Sequence, residues 1–257
     1  MTFTNAPVTR LGVMGLVAGG IAANVLDMKH YFHILIDTHL FRNSQPWRLL
    51  TYQLCYVNSA EVLFAAMTVY NLRVVERMWG SRKFASFLLV SYLMTSVTEP
   101  LIMAVLRPLS DLFNYVPAGP TPIIFAVLAQ FYAMVPHTYK FRVTTSSMGD
   151  GLSGLTLTDK SFPYLIAFHL SLLQWPGSLV GAMVGWLVGH AWRGAVLPAS
   201  LVTWRLPGWT VGLKVQGRSA EFEGLRRRLE GENRATAVST AVQTQPDSSG
   251  QVDRRRT

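Results

Sequence analysis

Residues 72–84 read LRVVERMWGSRKF and lie between two long apolar stretches, Leu54–Leu72 and Phe84–Leu106. Gly80 can adopt the left-handed backbone that commonly ends a helix, and basic residues are favoured at the negative end of the helix dipole. The stretch therefore predicts a charged turn that ends one apolar helix and starts the next.

Apolar stretches of similar length occur on both sides of this turn. A membrane-crossing helix needs roughly 20 predominantly apolar residues, with a lower limit of about 17. Six segments approach that length, and we predict an all-α membrane protein in which they form six transmembrane helices. The segments are Leu11–Leu26, Leu54–Leu72, Phe84–Leu106, Pro120–Tyr139, Phe162–Trp175 and Ser178–Val196.

The fifth segment, Phe162–Trp175, is shorter than the others. It gives only about 21 Å of helix at 1.5 Å per residue, less than a hydrocarbon core of about 30 Å. Pro176 and Gly177 follow it and predict a tight turn into the sixth segment, so the two segments form a helical hairpin. We expect either a thinner bilayer beside this hairpin or a helix that starts within the preceding loop.

The composition argues against several other classes of protein. Hydrophobic residues make up 50% of the 257 residues and charged residues only 14%, against about 25% charged in an average soluble domain. The net charge of +9 comes from bases in loops and the tail, without interleaved aromatics, so we expect no nucleic-acid partner. The single cysteine, Cys55, cannot form an intramolecular disulfide, and no histidine or cysteine spacing is typical of a metal site. We therefore expect neither a metal nor a cofactor.

Lysine and arginine in short loops mark the cytosolic side of a membrane protein. One set of loops and the C-terminal tail are rich in these residues, and the other set holds few. We therefore predict that both termini face the cytosol. The richer side holds Arg73, Arg77, Arg82, Lys83, Lys140, Arg142, Lys160 and ten residues from Arg205 to Arg256, and the poorer side holds Lys29, Arg42, Arg48 and Arg107.

The two ends of the chain differ from its apolar middle. The small residues in Leu11–Leu26 suit a face that packs against other helices, and a cleaved signal peptide is the alternative. Residues 5–196 are expected to form the membrane domain and residues 197–257 a cytosolic tail. Within the tail, Arg218–Glu232 is predicted to form one basic helix, and the polar composition from Ala235 onward predicts disorder.

A second short motif precedes the second apolar segment, where residues 45–51 read QPWRLLT. The Trp47 ring suits the depth of the lipid headgroups, and the Arg48 guanidinium can bond backbone carbonyls or a carboxylate. The motif predicts an anchor for the semi-polar first loop, Asp27–Thr51. An ordinary interfacial tryptophan beside a snorkelling arginine is the alternative.

Three features together resemble the rhomboid-like superfamily. They are the Trp47–Arg48 pair, the Glu76–Arg77 pair followed by Gly80, and three glycines spaced four apart in the last apolar segment. Small residues at that spacing let a neighbouring helix approach closely. The resemblance implies a six-helix rhomboid-like fold in which the sixth helix packs against the fourth. The glycines are Gly181, Gly185 and Gly189.

Residues 47–56, 119–126 and 222–229 are similar to the rhomboid-like subunits of the fungal Dsc E3 ubiquitin ligase complex. They also resemble related animal endoplasmic-reticulum proteins that carry a ubiquitin-associated (UBA) domain. The resemblance implies a scaffold for membrane-protein quality control, and in fungi also for the processing of a membrane-bound sterol-regulatory transcription factor. A UBA domain needs roughly 40 residues, and only a polar tail follows Glu232, so we expect no UBA domain in this sequence.

The resemblance also allows the catalytic positions of a rhomboid protease to be compared. An active rhomboid carries a serine at the start of the fourth span and a histidine on the sixth, within hydrogen-bond reach of each other. Here Thr121 occupies the serine position, between prolines that offer no N–H to an oxyanion hole. Ser178 and Ala182 occupy the candidate histidine positions, and His190 lies beyond the last glycine. We predict a pseudoprotease without catalytic residues; a protease that uses Thr121 is the alternative.

Two polar residues within the apolar segments are candidates for an intramembrane site, because a polar group is costly in lipid. Glu99 precedes Pro100 and is expected to bond a carbonyl freed by the proline or to pair with Arg48. A transporter with a midplane site at Glu99 is a further alternative. His169, on the fifth segment, is expected to bond a neighbouring helix.

These features predict a non-catalytic adaptor of a membrane-bound E3 ubiquitin ligase in the endoplasmic reticulum or Golgi. The expected partners are transmembrane substrates, RING ligase subunits and the lipid bilayer. A cavity between the first loop and the fifth and sixth helices would bind unstable or polar transmembrane helices.

Overall fold

The computed structural model describes residues 3–136, 139–143, 155–194 and 196–207, together with residues 224, 226 and 227. These residues are mostly helical. The α-helices are α1 (Pro7–Val25), α2 (Lys29–Phe32), α3 (Arg48–Thr51), α4 (Ser59–Trp79), α5 (Ser81–Leu106), α6 (Thr121–Met134), α7 (Ser161–Leu172), α8 (Gly177–Arg193) and α9 (Ala199–Thr203). A π-helix covers Ile36–Arg42, and short 3-10 helices cover Arg107–Leu109 and Asp111–Asn114.

Each of the six apolar segments overlaps one of the longer helices, α1 and α4 to α8. Two helical stretches among the described residues, Pro7–Val25 and Ser81–Leu109, are long and apolar enough to cross a membrane by themselves. Helices Thr121–Met134 and Ser161–Leu172 are apolar but shorter. The number of membrane spans therefore remains a prediction.

The helix boundaries differ from the predicted segments where local chemistry overrides hydropathy. Helix α4 starts at Ser59 because the Asn58 side chain accepts a hydrogen bond from the Ala60 amide, which caps the helix. It continues past Leu72 to Trp79, where Gly80 follows with a φ of 80°. Helix α6 ends at Met134, since the residue before a proline disfavours helical backbone and Pro136 follows closely.

The structure also contains four short strands that the all-α prediction did not include. Strand β1 (Ile34–Leu35) pairs antiparallel with β2 (Tyr115–Val116) and joins the first loop to the segment before α6. Strand β3 (Lys140–Val143) pairs antiparallel with β4 (Leu155–Thr158) ahead of α7. Strands of two to four residues are too short to give a recognisable alternating pattern.

The core of buried apolar side chains lies mainly among α4, α5 and α6. Helix α8 packs closely against α6. A Cβ atom at Gly185 would stand 1.9 Å from the Pro122 carbonyl oxygen, and one at Gly189 would stand 2.6 Å from the Ala126 carbonyl oxygen. The two helices therefore run in the same direction in near-backbone contact, which only glycine at these positions allows. Helix α4 packs against α1, α6 and α7, and α5 packs against α8.

The chain divides into two units, residues 1–207 and residues 208–257. In the second unit the structure describes Gly224, Arg226 and Arg227, which are helical and exposed. The rest of the basic helix predicted at Arg218–Glu232, and the tail from Ala235 that was predicted to be disordered, lie outside the described residues.

Candidate functional site

A buried polar network surrounds the carboxyl group of Glu99, which is only 1% exposed. The Tyr52 hydroxyl donates to Glu99 Oε2 at 2.9 Å and lies 3.2 Å from the Thr95 carbonyl oxygen. Gln53 Nε2 donates to the same Tyr52 oxygen at 2.6 Å, and the Thr95 hydroxyl donates to Gln53 Oε1 at 3.1 Å. We call Tyr52, Gln53, Thr95 and Glu99 the polar network.

Helix α8 packs against the polar network at Gly181. A Cβ atom at Gly181 would stand 2.4 Å from Glu99 Oε1, so the first glycine of the spaced set leaves room for the carboxyl group. The network thus joins the segment between α3 and α4 to α5 and α8. Because polar groups buried in lipid-embedded protein are costly unless bonded, these four side chains fix the relative position of the three segments.

The partner of Glu99 differs from both expected ones. The carboxyl group bonds the Tyr52 phenol rather than Arg48 or a carbonyl at the Pro100 kink. An ion pair joins Arg107 to Asp37, and both residues lie outside the long helices.

Arg48 instead bonds the backbone of its own loop. Its side chain is buried, and Nη1 donates to the carbonyl oxygens of His30 at 2.9 Å and His33 at 3.1 Å. Nε donates to Gln45 Oε1 at 2.7 Å. The neighbouring Trp47 ring is 45% exposed and its centroid lies 5.1 Å from the guanidinium carbon. This geometry suits an anchor in which Arg48 holds the loop together and the Trp47 ring lies at the membrane interface.

The turn before α6 places Thr121 against a tyrosine. The hydroxyl groups of Tyr56 and Thr121 lie 3.0 Å apart, and Thr121 is buried. Gly119 has a φ of 131°, donates its N–H to the Tyr52 carbonyl at 2.7 Å, and would place a Cβ atom 2.2 Å from the Tyr56 ring. The residues from Tyr52 to Tyr56 therefore cover this turn, and the Thr121 hydroxyl faces a phenol.

The candidate base positions of a protease hold other groups. Ser178 is buried and donates its hydroxyl to the Ser171 carbonyl at 2.7 Å. His190 is exposed, and its Nδ1 lies 3.0 Å from the Trp186 carbonyl oxygen, within its own helix. Because Gly189 lies opposite Ala126, His190 is more than a helical turn along α6 from Thr121.

His169 is exposed on α7, where its ring centroid lies 4.4 Å from that of Phe64 on α4. The contact with the neighbouring helix is thus an edge-on ring contact.

The Glu76–Arg77 pair holds the start of the first helix. Glu76 is fully buried, and its carboxylate accepts hydrogen bonds from the amides of Val8 at 3.0 Å and Thr9 at 2.7 Å. It also accepts from the Thr9 hydroxyl at 2.6 Å. These are first-turn amides of α1, which have no partner within their own helix and favour a negative charge. Arg77 Nε donates to the Thr4 carbonyl at 3.1 Å, just before that helix.

The described residues contain no group of three or more His, Cys, Asp or Glu side chains that could hold a metal ion. Cys55 is buried with a free thiol.

Sequence reasoning missed three members of this site, Tyr52, Gln53 and Thr95, and also Tyr56. Three of the four belong to residues 47–56, one of the stretches that carried the family resemblance. For these three residues, a polar side chain at the start of an apolar segment was the available signal. The partners that they have in other segments lie 42 or more positions away along the chain, which no local pattern reveals.

Comparisons with known proteins agree on a membrane family. A family profile described as eukaryotic integral membrane protein (DUF1751) matches residues 10–257. The chain is 31% identical over 204 residues to DSC E3 ubiquitin ligase complex subunit 2 of Schizosaccharomyces pombe, covering 79% of this chain and 52% of that protein. It is 24% identical over 191 residues to Rhomboid-like protein 18 of Arabidopsis thaliana, covering 74% of this chain and 62% of that protein.

A third relative is Ubiquitin-associated domain-containing protein 2 of Homo sapiens, which is 28% identical over 137 residues, 52% of this chain and 38% of that protein. The chain spans about half the length of the curated relatives it matches. No solved structure is significantly similar.

Proposed function

The chain belongs to the eukaryotic integral membrane protein family DUF1751, and from that premise we propose that it is a non-catalytic, rhomboid-like subunit of a membrane-bound E3 ubiquitin ligase complex. The similarity to a protein named as a subunit of such a complex is the observation that carries the proposal. The complex acts in protein quality control at the endoplasmic reticulum or Golgi membrane, and in the processing of a membrane-bound sterol-regulatory transcription factor.

The chemistry at Thr121 supports the non-catalytic part of the proposal. A hydroxyl nucleophile needs a base within hydrogen-bond reach to take its proton. The group beside Thr121 is the Tyr56 phenol, whose reference pKa near 10 makes it a proton donor rather than a base at neutral pH. The position one turn before the glycines holds Ser178, which is bonded to a backbone carbonyl.

In the proposed arrangement the chain crosses the membrane six times, with both termini in the cytosol. Helices α1 and α4 to α8 are the six spans. The first loop, α7 and α8 border the place where a transmembrane substrate docks, and RING ligase subunits receive the substrate from there. A substrate helix with polar side chains gains most from such a protein, since those side chains are costly in lipid.

Co-purification tests the proposal. The tagged full-length chain is extracted in mild detergent, and its partners are identified by quantitative mass spectrometry. An unrelated polytopic protein of the same membrane serves as the control. We expect enrichment of membrane proteins with RING domains. Absence of every ubiquitin-ligase component from the purified complex would contradict the proposed assembly.

A second measurement tests the absence of catalysis separately. The purified chain is incubated with model transmembrane substrates, next to its Thr121→Ala variant and an active rhomboid protease. We expect no cleavage by either form of this chain. Cleavage that the Thr121→Ala substitution abolishes would show an intramembrane protease instead.

A further inference from the structure

Three aromatic rings pack edge to face where the start of α5 meets the end of α8. The ring centroids of Trp79 and Phe87 lie 5.4 Å apart, and those of Phe87 and Trp192 lie 5.2 Å apart, both in edge-to-face contact. Phe87 and Trp192 are buried. We call Trp79, Phe87 and Trp192 the aromatic cluster, which lies at one end of the apolar helices α5 and α8. In a membrane protein the ends of such helices lie at the depth of the lipid headgroups.

Three positively charged residues lie at the aromatic cluster, one from α5, one from α8 and one from the segment after α9. Lys83 Nζ lies 4.5 Å from the centroid of the Trp79 ring, and Arg193 is the last residue of α8. Arg205 follows α9 and donates to the carbonyl oxygens of Val202 and Trp204 at 2.6 and 2.8 Å. Arg193 follows Trp192, whose ring packs on Phe87. Arg205 precedes Leu206, which is bonded to the first turns of α5, so both arginines lie at the same end of α5 as Lys83. We call Lys83, Arg193 and Arg205 the basic cluster.

Two hydrogen bonds hold the segment of Arg205 in place. The Leu206 amide donates to the Ser86 hydroxyl at 2.9 Å, and Arg82 Nε donates to the Leu206 carbonyl at 3.3 Å. The segment after α9 is thereby bound to the first turns of α5. Arg205 is brought to Lys83 by the fold, although 122 residues separate them in the sequence.

No acidic side chain balances the basic cluster in the part of the chain that the structure describes. Asp37 is paired with Arg107, and the carboxylate of Glu76 is bonded to the first turn of α1. The helix dipole favours Arg193 at the C-terminus of α8 but disfavours Lys83 in the first turn of α5. Three like charges at one end of these helices repel one another, and an anion from outside the chain would offset that repulsion.

We propose that Lys83, Arg193 and Arg205 bind the phosphate group of an anionic membrane lipid. Basic pockets between membrane helices at the bilayer surface are suited to such headgroups, and Arg and Lys both bind phosphate oxygens well. Trp204, the residue before Arg205, is 43% exposed, and an exposed indole suits the membrane interface. The acyl chains then lie along the apolar faces of α5 and α8. This site is independent of the proposed ligase function.

Native mass spectrometry of the full-length chain tests the site. The protein is purified in a neutral detergent and titrated with phosphatidic acid, with phosphatidylcholine as the uncharged reference lipid. The test variant carries Lys83→Gln and Arg193→Gln. The matched control carries Lys29→Gln and Arg42→Gln, which remove the same two residue types from exposed positions in the first loop. Arg82 is left unchanged because it holds Leu206.

We expect the test variant to bind phosphatidic acid roughly thirtyfold more weakly than the wild type, since it lacks two bases and each base near an anionic surface contributes about 1 kcal/mol. The control variant should bind as the wild type does, and none of the forms should prefer phosphatidylcholine. A charge-conserving variant, Lys83→Arg with Arg193→Lys, should keep most of the binding. Equal binding by the test and control variants would overturn the proposal.

A competition experiment distinguishes a lipid ligand from a soluble anion. Inorganic phosphate at millimolar concentration should leave the lipid adducts in place, because it has no acyl chains that could contact the apolar side chains of the site. Displacement of phosphatidic acid by inorganic phosphate alone would overturn the assignment to a lipid. Thermal unfolding in the neutral detergent checks that the test variant is folded, and a melting temperature equal to that of the control excludes misfolding as the cause of lost binding.

Discussion

At the scale of single residues, the Tyr52 hydroxyl makes three buried polar contacts. It lies between the Glu99 carboxyl group, the Gln53 amide and the Thr95 carbonyl, at 2.6 to 3.2 Å. A phenol that both donates and accepts in this way leaves two other buried groups unsatisfied when it is removed. The cost of such orphaned groups exceeds the net value of a typical hydrogen bond.

The substitution Tyr52→Phe should therefore destabilise the protein by about 1–3 kcal/mol, because it removes one oxygen and leaves Glu99 and Gln53 without their partner. The matched control is Tyr31→Phe, in the first loop, where the side chain is 42% exposed. We expect that control to change stability by less than about 0.5 kcal/mol. Reversible unfolding of both variants in mixed micelles measures the difference, and equal stabilities would contradict a structural role for the network.

We expect the stability of the first loop to depend on pH because of His39. Its Nδ1 accepts a hydrogen bond from the Leu35 amide at 3.0 Å, so that nitrogen must be unprotonated. Burial, then the positive charge of Arg48, then His33 lower the pKa of His39 below its usual value of 6.5. Because the folded state lowers this pKa, His39 contributes stability above about pH 6.5 that is lost as the pH falls below it.

Amide hydrogen exchange should detect this change. After correction for the intrinsic effect of pH on exchange, we expect amides in residues 34–42 to exchange faster at pH 5.5 than at pH 7.0. The His39→Gln variant removes the titrating group and should abolish most of the difference, whereas His190→Gln, at an exposed position, should not. Identical protection of the loop at both pH values in the wild type would contradict the prediction.

At the scale of helices, the glycines of α8 and α1 offer a direct comparison. A Cβ atom at Gly185 would lie 1.9 Å from the backbone of Pro122, whereas one at Gly15 would find nothing within 4 Å. The first glycine allows a helix contact, and the second faces open space. The same substitution should therefore have opposite consequences at the two positions.

We expect Gly185→Ala to destabilise the protein by more than about 2 kcal/mol, because α6 and α8 must separate to admit the methyl group. Gly15→Ala should be neutral or stabilising by up to about 1 kcal/mol, because alanine favours a helix more than glycine does. Thermal unfolding of the two purified variants in one detergent gives the comparison. A loss of stability at Gly15 equal to that at Gly185 would show that the effect does not come from the α6–α8 contact.

At the scale of the whole molecule, local chemistry could be predicted from the sequence and long-range pairing could not. The helix end at Gly80 and the close approach at Gly185 follow from residue type and a spacing of four, which are local properties. The pair of Tyr52 with Glu99 joins residues 47 positions apart, and Arg48 was an equally reasonable partner by chemistry. Only the fold decides which of two such donors reaches a buried carboxyl group.

The short helix α7 bears on how the whole molecule sits in the bilayer. It covers Ser161–Leu172 and does not extend back into the preceding strand pair. Its 12 residues give about 18 Å of helix, against a hydrocarbon core of about 30 Å. We predict that the bilayer is thinner beside α7 than elsewhere around the protein, because lipid deforms to match a short apolar surface.

A density map of the protein in a lipid nanodisc measures the distance between the two phosphate layers beside α7 and beside α5. We expect the first distance to be several ångströms smaller. A thickness beside α7 equal to that of undisturbed bilayer would contradict the prediction. Thinner hydrocarbon would shorten the path of a polar transmembrane helix, which is how this feature would serve an adaptor in quality control.

The Glu76 carboxylate that caps α1 has a consequence for how the chain is synthesised. Glu76 lies 67 residues after Thr9, so the ribosome makes α1 long before it makes the group that bonds the first-turn amides of that helix. Until the end of α4 leaves the ribosome, the N–H groups at the start of the first helix lack their carboxylate partner. We expect α1 to take its final position only after residue 76 has been made, so a chain stalled earlier would hold α1 without this cap.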